Sequence, residues 1–161
     1  AQKYRNQGVV GIDISGDSTR GDITAIMPQL LLAKAAGLSF IVHLGEHPDE
    51  KDQLYLLQSL QPARVGHGVH LKDDAKAWIF SQEIPFEICL SSSVYVKMVD
   101  KFEEHPGIDF YKQGHPVVFG TDDPLLFRTT LSDELEIAHQ HCGLSLKDIQ
   151  RIVMNSFEYA L

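Results

Sequence analysis

The stretch PVVFGTDDP, residues 116–124, decides the fold because it joins a buried strand to two adjacent carboxylates. Its strand-forming residues, VVF, are followed after a glycine and a threonine by Asp122 and Asp123. A surface turn would explain one acidic residue beside a proline, but not a carboxylate pair at the mouth of a buried strand. The stretch therefore predicts a strand whose carboxyl end carries functional side chains.

Four further segments are also short and mostly continuous apolar runs, which are typical of parallel strands covered on both faces. Helical patterns separate them, and successive strands start 21 to 31 residues apart. This spacing indicates repeated β–α units with right-handed crossovers. The five predicted strands are Val9–Ser15, Ser39–Leu44, Arg64–Gly66, Pro85–Leu90 and Pro116–Gly120.

Two architectures fit these units: an open doubly wound sheet and part of a (β/α)8 barrel. A complete barrel needs eight strands and about 250 residues. This chain has 161 residues and five predicted strands. The barrel interpretation therefore predicts that residues 1–161 form a single partial barrel domain.

Composition narrows the classes of partner and compartment. The hydrophobic share of 43% suffices for a core, and the net charge of −8 without a basic run argues against nucleic acid as the main partner. Two cysteines, Cys89 and Cys142, predict no disulfide framework and fit a reducing cytoplasm. No segment reaches the length of a membrane span, and the first ten residues lack the apolar core of a signal peptide. We therefore expect a cytoplasmic protein with no membrane partner.

Reactive side chains follow every predicted strand, at the edge where both architectures build their sites. Histidine nitrogens and carboxylate oxygens together suit a divalent metal such as zinc. Each residue alone also has a structural explanation, such as a helix cap for Asp122 or a hydrogen-bonded core role for His67. The occurrence of reactive side chains at all five predicted strand ends favours a functional site instead. The residues are Asp13, Ser15, His43, Glu46, His67, Ser91–Ser93, Asp122 and Asp123.

Five motifs occur in an order and spacing that resemble the adenosine deaminase family of zinc-dependent purine deaminases. The resemblance extends from about residue 9 to the end of the chain. It implies an α/β fold that corresponds to about strands 4–8 of a TIM-type (β/α)8 barrel, without the amino-terminal strands. The motifs are GIDISGD (11–17), HLGE (43–46), RVGHG (64–68), CLSSS (89–93) and GTDDP (120–124).

The resemblance implies a metal-assisted reaction at the strand ends. His43 and Asp122 would be ligands of one zinc ion in the complete site. Glu46 would donate a proton to purine N1, and His67 would orient the attacking water and help take its proton. The implied activity is hydrolytic deamination of a 6-aminopurine nucleoside or nucleotide.

The resemblance also implies how the purine is held. Asp123 would hydrogen-bond purine N7, and Gly16 would bring its backbone N–H close to purine N3. The motifs GIDISGDS and EICLSSS resemble the branch that converts N6-methyl-AMP to IMP, whereas the remaining motifs equally suit conversion of adenosine to inosine. Adenosine and N6-methyl-AMP are therefore both expected as substrates.

One part of the family pattern has no counterpart here, namely the H-x-H pair of zinc ligands on the first strand. His139 and His141 have this spacing, but they lie in a helical segment, where residues two apart point about 200° away from each other. We expect the isolated chain to have little or no activity, and its open barrel edges to permit self-association.

Two alternatives stay open. One is a catalytically inactive fragment that binds purine or a second copy of itself. The other is a different metal hydrolase on the same barrel, which would need a bridging lysine where Asp13 and Ser15 stand. The remaining histidines, His47, His70, His105 and His115, are assigned no functional role, although His70 is close enough to the predicted pocket to touch substrate.

Overall fold

The computed structural model describes residues 1–161 and contains one parallel sheet of five strands. The strand order in space equals the order in the chain, β1-β2-β3-β4-β5. A doubly wound sheet reverses its strand order at a switch point, so the constant order here supports the barrel and excludes the doubly wound alternative. The strands are β1 (Gly11–Ile14), β2 (Ser39–Leu44), β3 (Arg64–His67), β4 (Phe86–Ile88) and β5 (Val117–Phe119).

Helices follow the strands as the β–α spacing predicts. The α-helix α2 begins at Gln53, and Asp52 is its N-cap residue. None of the helices combines the length and hydropathy that a membrane span requires. The α-helices are α1 (Met27–Ala35), α2 (Gln53–Leu60), α3 (Asp73–Ser81), α4 (Leu90–Tyr95), α5 (Pro106–Lys112), α6 (Pro124–Phe127), α7 (Leu131–Gln140) and α8 (Leu146–Asn155), and 3-10 helices span Gln2–Gln7, Ile23–Ile26 and Phe102–Glu104.

The last two helices begin with capping boxes. Ser145 and Asp148 form the box at the start of α8. In α7 the box is formed by Thr130 and Asp133, and Ser132 lies inside the first turn. Both boxes pair a hydroxyl with a carboxylate three residues later, which satisfies backbone N–H groups that the helix leaves free.

The strand β4 ends two residues earlier than predicted, because Leu90 starts the helix α4. The carboxylate of Glu134, on α7, accepts hydrogen bonds from the backbone N–H groups of Leu90 (2.8 Å) and Ser91 (3.2 Å). Its other oxygen accepts from the Thr129 hydroxyl at 2.9 Å, and Glu134 itself is fully buried. A buried carboxylate therefore fixes the point where the chain leaves the sheet.

The core lies between the sheet and the helices that cover it. Its largest fully buried side chains include Phe40, Leu44, Phe86 and Ile88, on the strands β2 and β4. In α8, Ile152 belongs to this core, whereas Leu146 and Phe157 are 70% and 75% exposed. Leu146 is the first residue of α8, and Phe157 lies beyond its end.

Candidate active site

The carboxyl ends of β1, β2 and β3 bring together side chains that are far apart in sequence. The Nδ1 atom of His43 lies 3.0 Å from Oδ1 of Asp13. The His43 and His67 rings have centroids 5.0 Å apart, and Nε2 of His67 lies 4.0 Å from Oε1 of Glu46. The parallel register produces this cluster, because His43 pairs with Gly66 and the following residues, Leu44 and His67, pair with each other.

The His43 ring is fixed from two sides. Asp13 occupies its Nδ1, which leaves Nε2 free, and a carboxylate behind an imidazole is the usual arrangement of a metal-binding histidine. On the ring face, a Cβ atom on Gly66 would lie only 2.7 Å from Cδ2 of His43. Glycine at this position therefore permits the ring to lie against the backbone of β3.

Glu46 is half-buried, and its burial raises the pKa of its carboxyl group above the ordinary value. The nearby His43 lowers this pKa, while Glu50 and Asp122 raise it. Glu50 is itself buried and accepts hydrogen bonds from the backbone N–H of Gly45 and from the side chain of Gln53. The raised pKa favours the protonated form of Glu46, which is what a general acid needs near neutral pH.

His67 ends β3 with a left-handed backbone, φ 60°, and is only 3% exposed. Burial, together with the neighbouring His43, lowers the pKa of His67 to about 4, so its imidazole is neutral at pH 7. Its Nε2 faces Glu46, whereas its Nδ1 is buried without a hydrogen-bond partner. Non-glycine residues in the left-handed region are uncommon and concentrate at functional sites.

The pair of aspartates after β5 is exposed, and Asp122 also has a left-handed backbone, φ 56°. Asp122, Asp123, Glu46 and His70 line one cleft of about 450 Å³. Because Asp122 shares this cleft with Glu46, it lies beside the strand-end cluster although β5 and β2 are not neighbours in the sheet.

A second, larger cleft of about 880 Å³ lies over the loop that follows β1. Gly16 and His43 line it, and Asp17 lines both clefts, which therefore adjoin. Gly16 has φ 123°, and a Cβ atom there would meet nothing within 4 Å. The glycine is required by this backbone conformation, and the space where a side chain would start is open.

Comparisons with known proteins agree with this geometry. The sequence profile described as "Adenosine deaminase" matches residues 1–161. The chain belongs to the adenosine deaminase family. It is 34% identical over 160 residues to the adenosine deaminase of Clostridium botulinum strain 657, a match that covers 98% of this chain and 48% of the relative.

Two plant comparisons point to the same family. The N6-mAMP deaminase of Arabidopsis thaliana is 37% identical over 145 residues, which are 90% of this chain and 41% of that protein. The crystal structure of Arabidopsis ADAL complexed with IMP superposes with a TM-score of 0.92 at 33% identity, covering 98% of this chain and 46% of that one. The chain thus spans about half the length of the relatives it matches, and the predicted α/β partial barrel is confirmed.

Within this adenosine deaminase family chain, the structure places the predicted residues in three groups. His43, His67 and Glu46 form one contiguous cluster, Asp122 and Asp123 share the smaller cleft with Glu46, and Gly16 lies across the larger cleft. No three histidine, cysteine or carboxylate side chains of residues 1–161 converge as a metal site. His43 Nε2 and the Asp122 carboxylate are suited to be metal donors, and by themselves they are two of the three or more that a catalytic zinc takes.

Three buried polar residues around the site have no counterpart in the sequence-based predictions. Glu50 supports the turn after β2, Glu134 fixes the start of α4, and His105 caps α5 through its Nδ1. None of these three residues lies in one of the five motifs. The partners of Glu134 are more than 40 residues away, so local sequence does not predict its burial.

Proposed function

We propose that residues 1–161 form one part of the active site of a zinc-dependent hydrolase that deaminates a 6-aminopurine nucleoside or nucleotide. The substrate would be adenosine, giving inosine, or N6-methyl-AMP, giving IMP. The observation that carries the proposal is a half-buried Glu46 with a raised pKa, 4.0 Å from a neutral His67 that contacts the carboxylate-supported His43. The relatives named adenosine deaminase and N6-mAMP deaminase support the reaction class.

The metal would be held by His43 through Nε2 and by Asp122, together with donors from outside these residues. When bound, zinc supplies a Lewis acid that lowers the pKa of water toward 7. Asp13 would keep the His43 ring in the tautomer that leaves Nε2 unprotonated, because its carboxylate accepts the Nδ1 proton.

The purine would be activated by proton transfer. Protonated Glu46 would donate to N1, which withdraws electrons from the ring and makes C6 electrophilic. His67 would orient the attacking water toward C6, and ammonia or methylamine would leave as the C6–N6 bond breaks. Asp123 would hold N7, and the backbone N–H of Gly16 would hold N3, so the ring would bridge the two adjoining clefts.

The domain assignment follows from the same considerations. Residues 1–161 would be a single catalytic domain that lacks the amino-terminal barrel strands, and they would have little or no activity alone. The isolated chain would be inactive because a catalytic zinc takes three or more protein donors, and no three metal donors converge within residues 1–161. The unpaired outer sides of β1 and β5 would permit self-association.

We also propose a cytoplasmic location and a small-molecule partner, with no role for nucleic acid.

The proposal is tested by comparing residues 1–161 with an eight-stranded protein in which the amino-terminal strands of a relative precede them. Zinc content is measured for both, along with formation of inosine from adenosine and of IMP from N6-methyl-AMP. We expect one zinc ion and turnover only in the eight-stranded protein. No turnover in either would refute the deaminase function, and zinc-dependent turnover by residues 1–161 alone would refute the partial-site assignment.

A further inference from the structure

The turn after β2, which carries Glu46, is held by a buried carboxylate that has no part in the proposed proton transfer. This carboxylate belongs to Glu50, which is only 7% exposed. Its Oε2 accepts the backbone N–H of Gly45 and, at 3.2 Å, the Nε2–H of Gln53. Gly45 directly precedes Glu46 and has a left-handed backbone, φ 72°. The direction in which the chain leaves β2 toward Glu46 therefore depends on Glu50.

The side chain of Gln53 uses both ends of its amide. It is 2% exposed, and its Nε2 also donates to the carbonyl of His70 at 3.1 Å. Its Oε1 accepts the backbone N–H of Lys72 at 2.8 Å. Only an oxygen can face the N–H of Lys72 and only the NH2 group can face two acceptors, so these partners fix the orientation of the amide. Gln53 thus joins the turn after β2 to the turn after β3.

The same two turns are in direct backbone contact. The His70 N–H donates to the Gly45 carbonyl at 2.7 Å, and the Gly68 N–H donates to the Leu44 carbonyl at 2.9 Å. A Cβ atom on Gly45 would lie only 3.0 Å from the backbone nitrogen of His70. Because Glu46 and His70 line the same cleft, this contact sets the separation of two of its walls.

We propose that Glu50 is a positioning residue for Glu46, and that Gln53 holds Glu50 in place and ties it to the turn after β3. A general acid has to lie within hydrogen-bond reach of the atom that it protonates, and a displacement of about 1 Å can cost about a hundredfold in rate. The hydrogen bond from the residue before Glu46 limits such a displacement. The effect on turnover rests on the proposed deaminase function, whereas the hold on the turn does not.

A purely stabilising role for Glu50 is the alternative, since Glu134 also accepts backbone N–H groups from a buried position. The two roles make different predictions. Loss of stability alone lowers the folded fraction and leaves the rate per folded molecule independent of Glu46. Loss of positioning lowers that rate only while Glu46 is present to donate its proton.

The test uses two substitutions of Glu50 in the eight-stranded protein. Glu50→Leu removes the acceptor and keeps most of the volume, whereas Glu50→Gln keeps one acceptor oxygen. Each is made alone and together with Glu46→Gln. The values of kcat and KM are measured for every protein, and circular dichroism gives the folded fraction by which kcat is normalised.

Amide hydrogen exchange, followed by NMR, reports on the turn without any turnover. The amide observed is that of Gly45. The amides of Leu90 and Ser91 are the matched control, because the carboxylate of Glu134 holds them in the same way at another place in the fold.

We expect Glu50→Leu to lower kcat about ten- to a hundredfold with KM changed less than about twofold, and Glu50→Gln to restore most of the loss. In the Glu46→Gln protein, Glu50→Leu should change kcat by less than about twofold, because no proton donor is left to misplace. An equal fold-loss with and without Glu46, or a Glu50→Gln variant as slow as Glu50→Leu, would overturn the proposal.

The Gly45 amide should exchange at least about tenfold faster in Glu50→Leu than in the wild type, and the two control amides should not change. Unchanged exchange at Gly45 would also overturn the proposal. If exchange at Gly45 is as expected but the wild type turns over no purine, the deaminase function fails and the hold of Glu50 on the turn stands.

A second variant decides the matter if Glu50→Leu does not fold. Gln53→Leu keeps the acceptor of Gly45 but removes the side chain that holds it, so it should speed exchange at Gly45 and at Lys72. It should also lower kcat in the protein that retains Glu46 and leave it unchanged in Glu46→Gln. A kcat equal to that of the wild type would contradict the role of Gln53.

Discussion

Replacing Glu134 by alanine should unfold the start of α4 and destabilise the whole domain. The Glu134 carboxylate is fully buried and accepts three hydrogen bonds, from Leu90 N–H (2.8 Å), Ser91 N–H (3.2 Å) and the Thr129 hydroxyl (2.9 Å). Leu90 and Thr129 are buried, so the substitution leaves two donors without water or a partner. Each such donor costs about 1–3 kcal/mol.

The magnitude follows from these donors and the space left behind. Two unpaired buried donors destabilise the variant, and so does the cavity left by the lost carboxyl and methylene groups. The variant also no longer buries a charge, which is a smaller gain in stability. We expect Glu134→Ala to lower the free energy of unfolding by roughly 3–5 kcal/mol. Glu134→Gln keeps the volume and one acceptor oxygen, so its cost should be about 1–2 kcal/mol.

The assay is urea unfolding followed by circular dichroism, together with amide hydrogen exchange at Leu90 and Ser91. Both amides should exchange faster in Glu134→Ala than in Glu134→Gln, because only glutamine retains an acceptor for them. A loss below about 1 kcal/mol in the alanine variant, or equal losses in the two variants, would refute the reasoning that the hydrogen bonds of this carboxylate fix α4.

Three further predictions concern the site. Glu46→Gln in the eight-stranded protein should lower kcat at least about a hundredfold without changing zinc content, because the amide cannot donate the N1 proton. Asp13→Ala should weaken zinc binding about ten- to a hundredfold, measured by competition with a chelator, because His43 loses the carboxylate on its Nδ1. The unfolding free energy should fall as pH drops from about 6.5 toward 4, since the pKa values of His67 and His105 are near 4 when folded and near 6.5 when unfolded, so the unfolded chain binds more protons in that window.

Each of these has a control or a contradicting outcome. Glu136→Gln, on the exposed side of α7, should leave kcat unchanged. Loss of zinc from Glu46→Gln would make Glu46 a metal donor and not a proton donor. Unchanged zinc affinity in Asp13→Ala would show that Asp13 does not support zinc binding by His43. A His105→Gln variant whose stability declines as steeply with acid as the wild type would show that His105 contributes nothing to the pH dependence.

The parts of the fold that sequence predicts are those that depend on local pattern. Continuous apolar runs locate all five strands to within a few residues, and the β–α spacing gives their parallel order. The motif residues His43, Glu46 and His67 come together as expected because each ends or follows a strand, and the sheet aligns strand ends without help from any other contact.

The parts that sequence misses depend on contacts between distant segments. The sequence CLSSS is equally compatible with the end of a strand and with a turn. It begins a helix because the Glu134 carboxylate, on α7, accepts hydrogen bonds from the backbone N–H groups of Leu90 and Ser91. His105, in a polar stretch, gives no local sign that it is buried, since its burial follows from the packing of Gly107 on Ile88.

These misses share a physical cause that bears on the chemistry. Most of the predicted residues line the clefts, whereas Glu134 and His105 act from behind, through hydrogen bonds to backbone amides. Cleft-facing residues are limited by the reaction to a few types, so motifs reveal them. Residues behind them need only fill space and satisfy one donor or acceptor, a requirement that many residue types could meet, and their roles are therefore visible only in three dimensions.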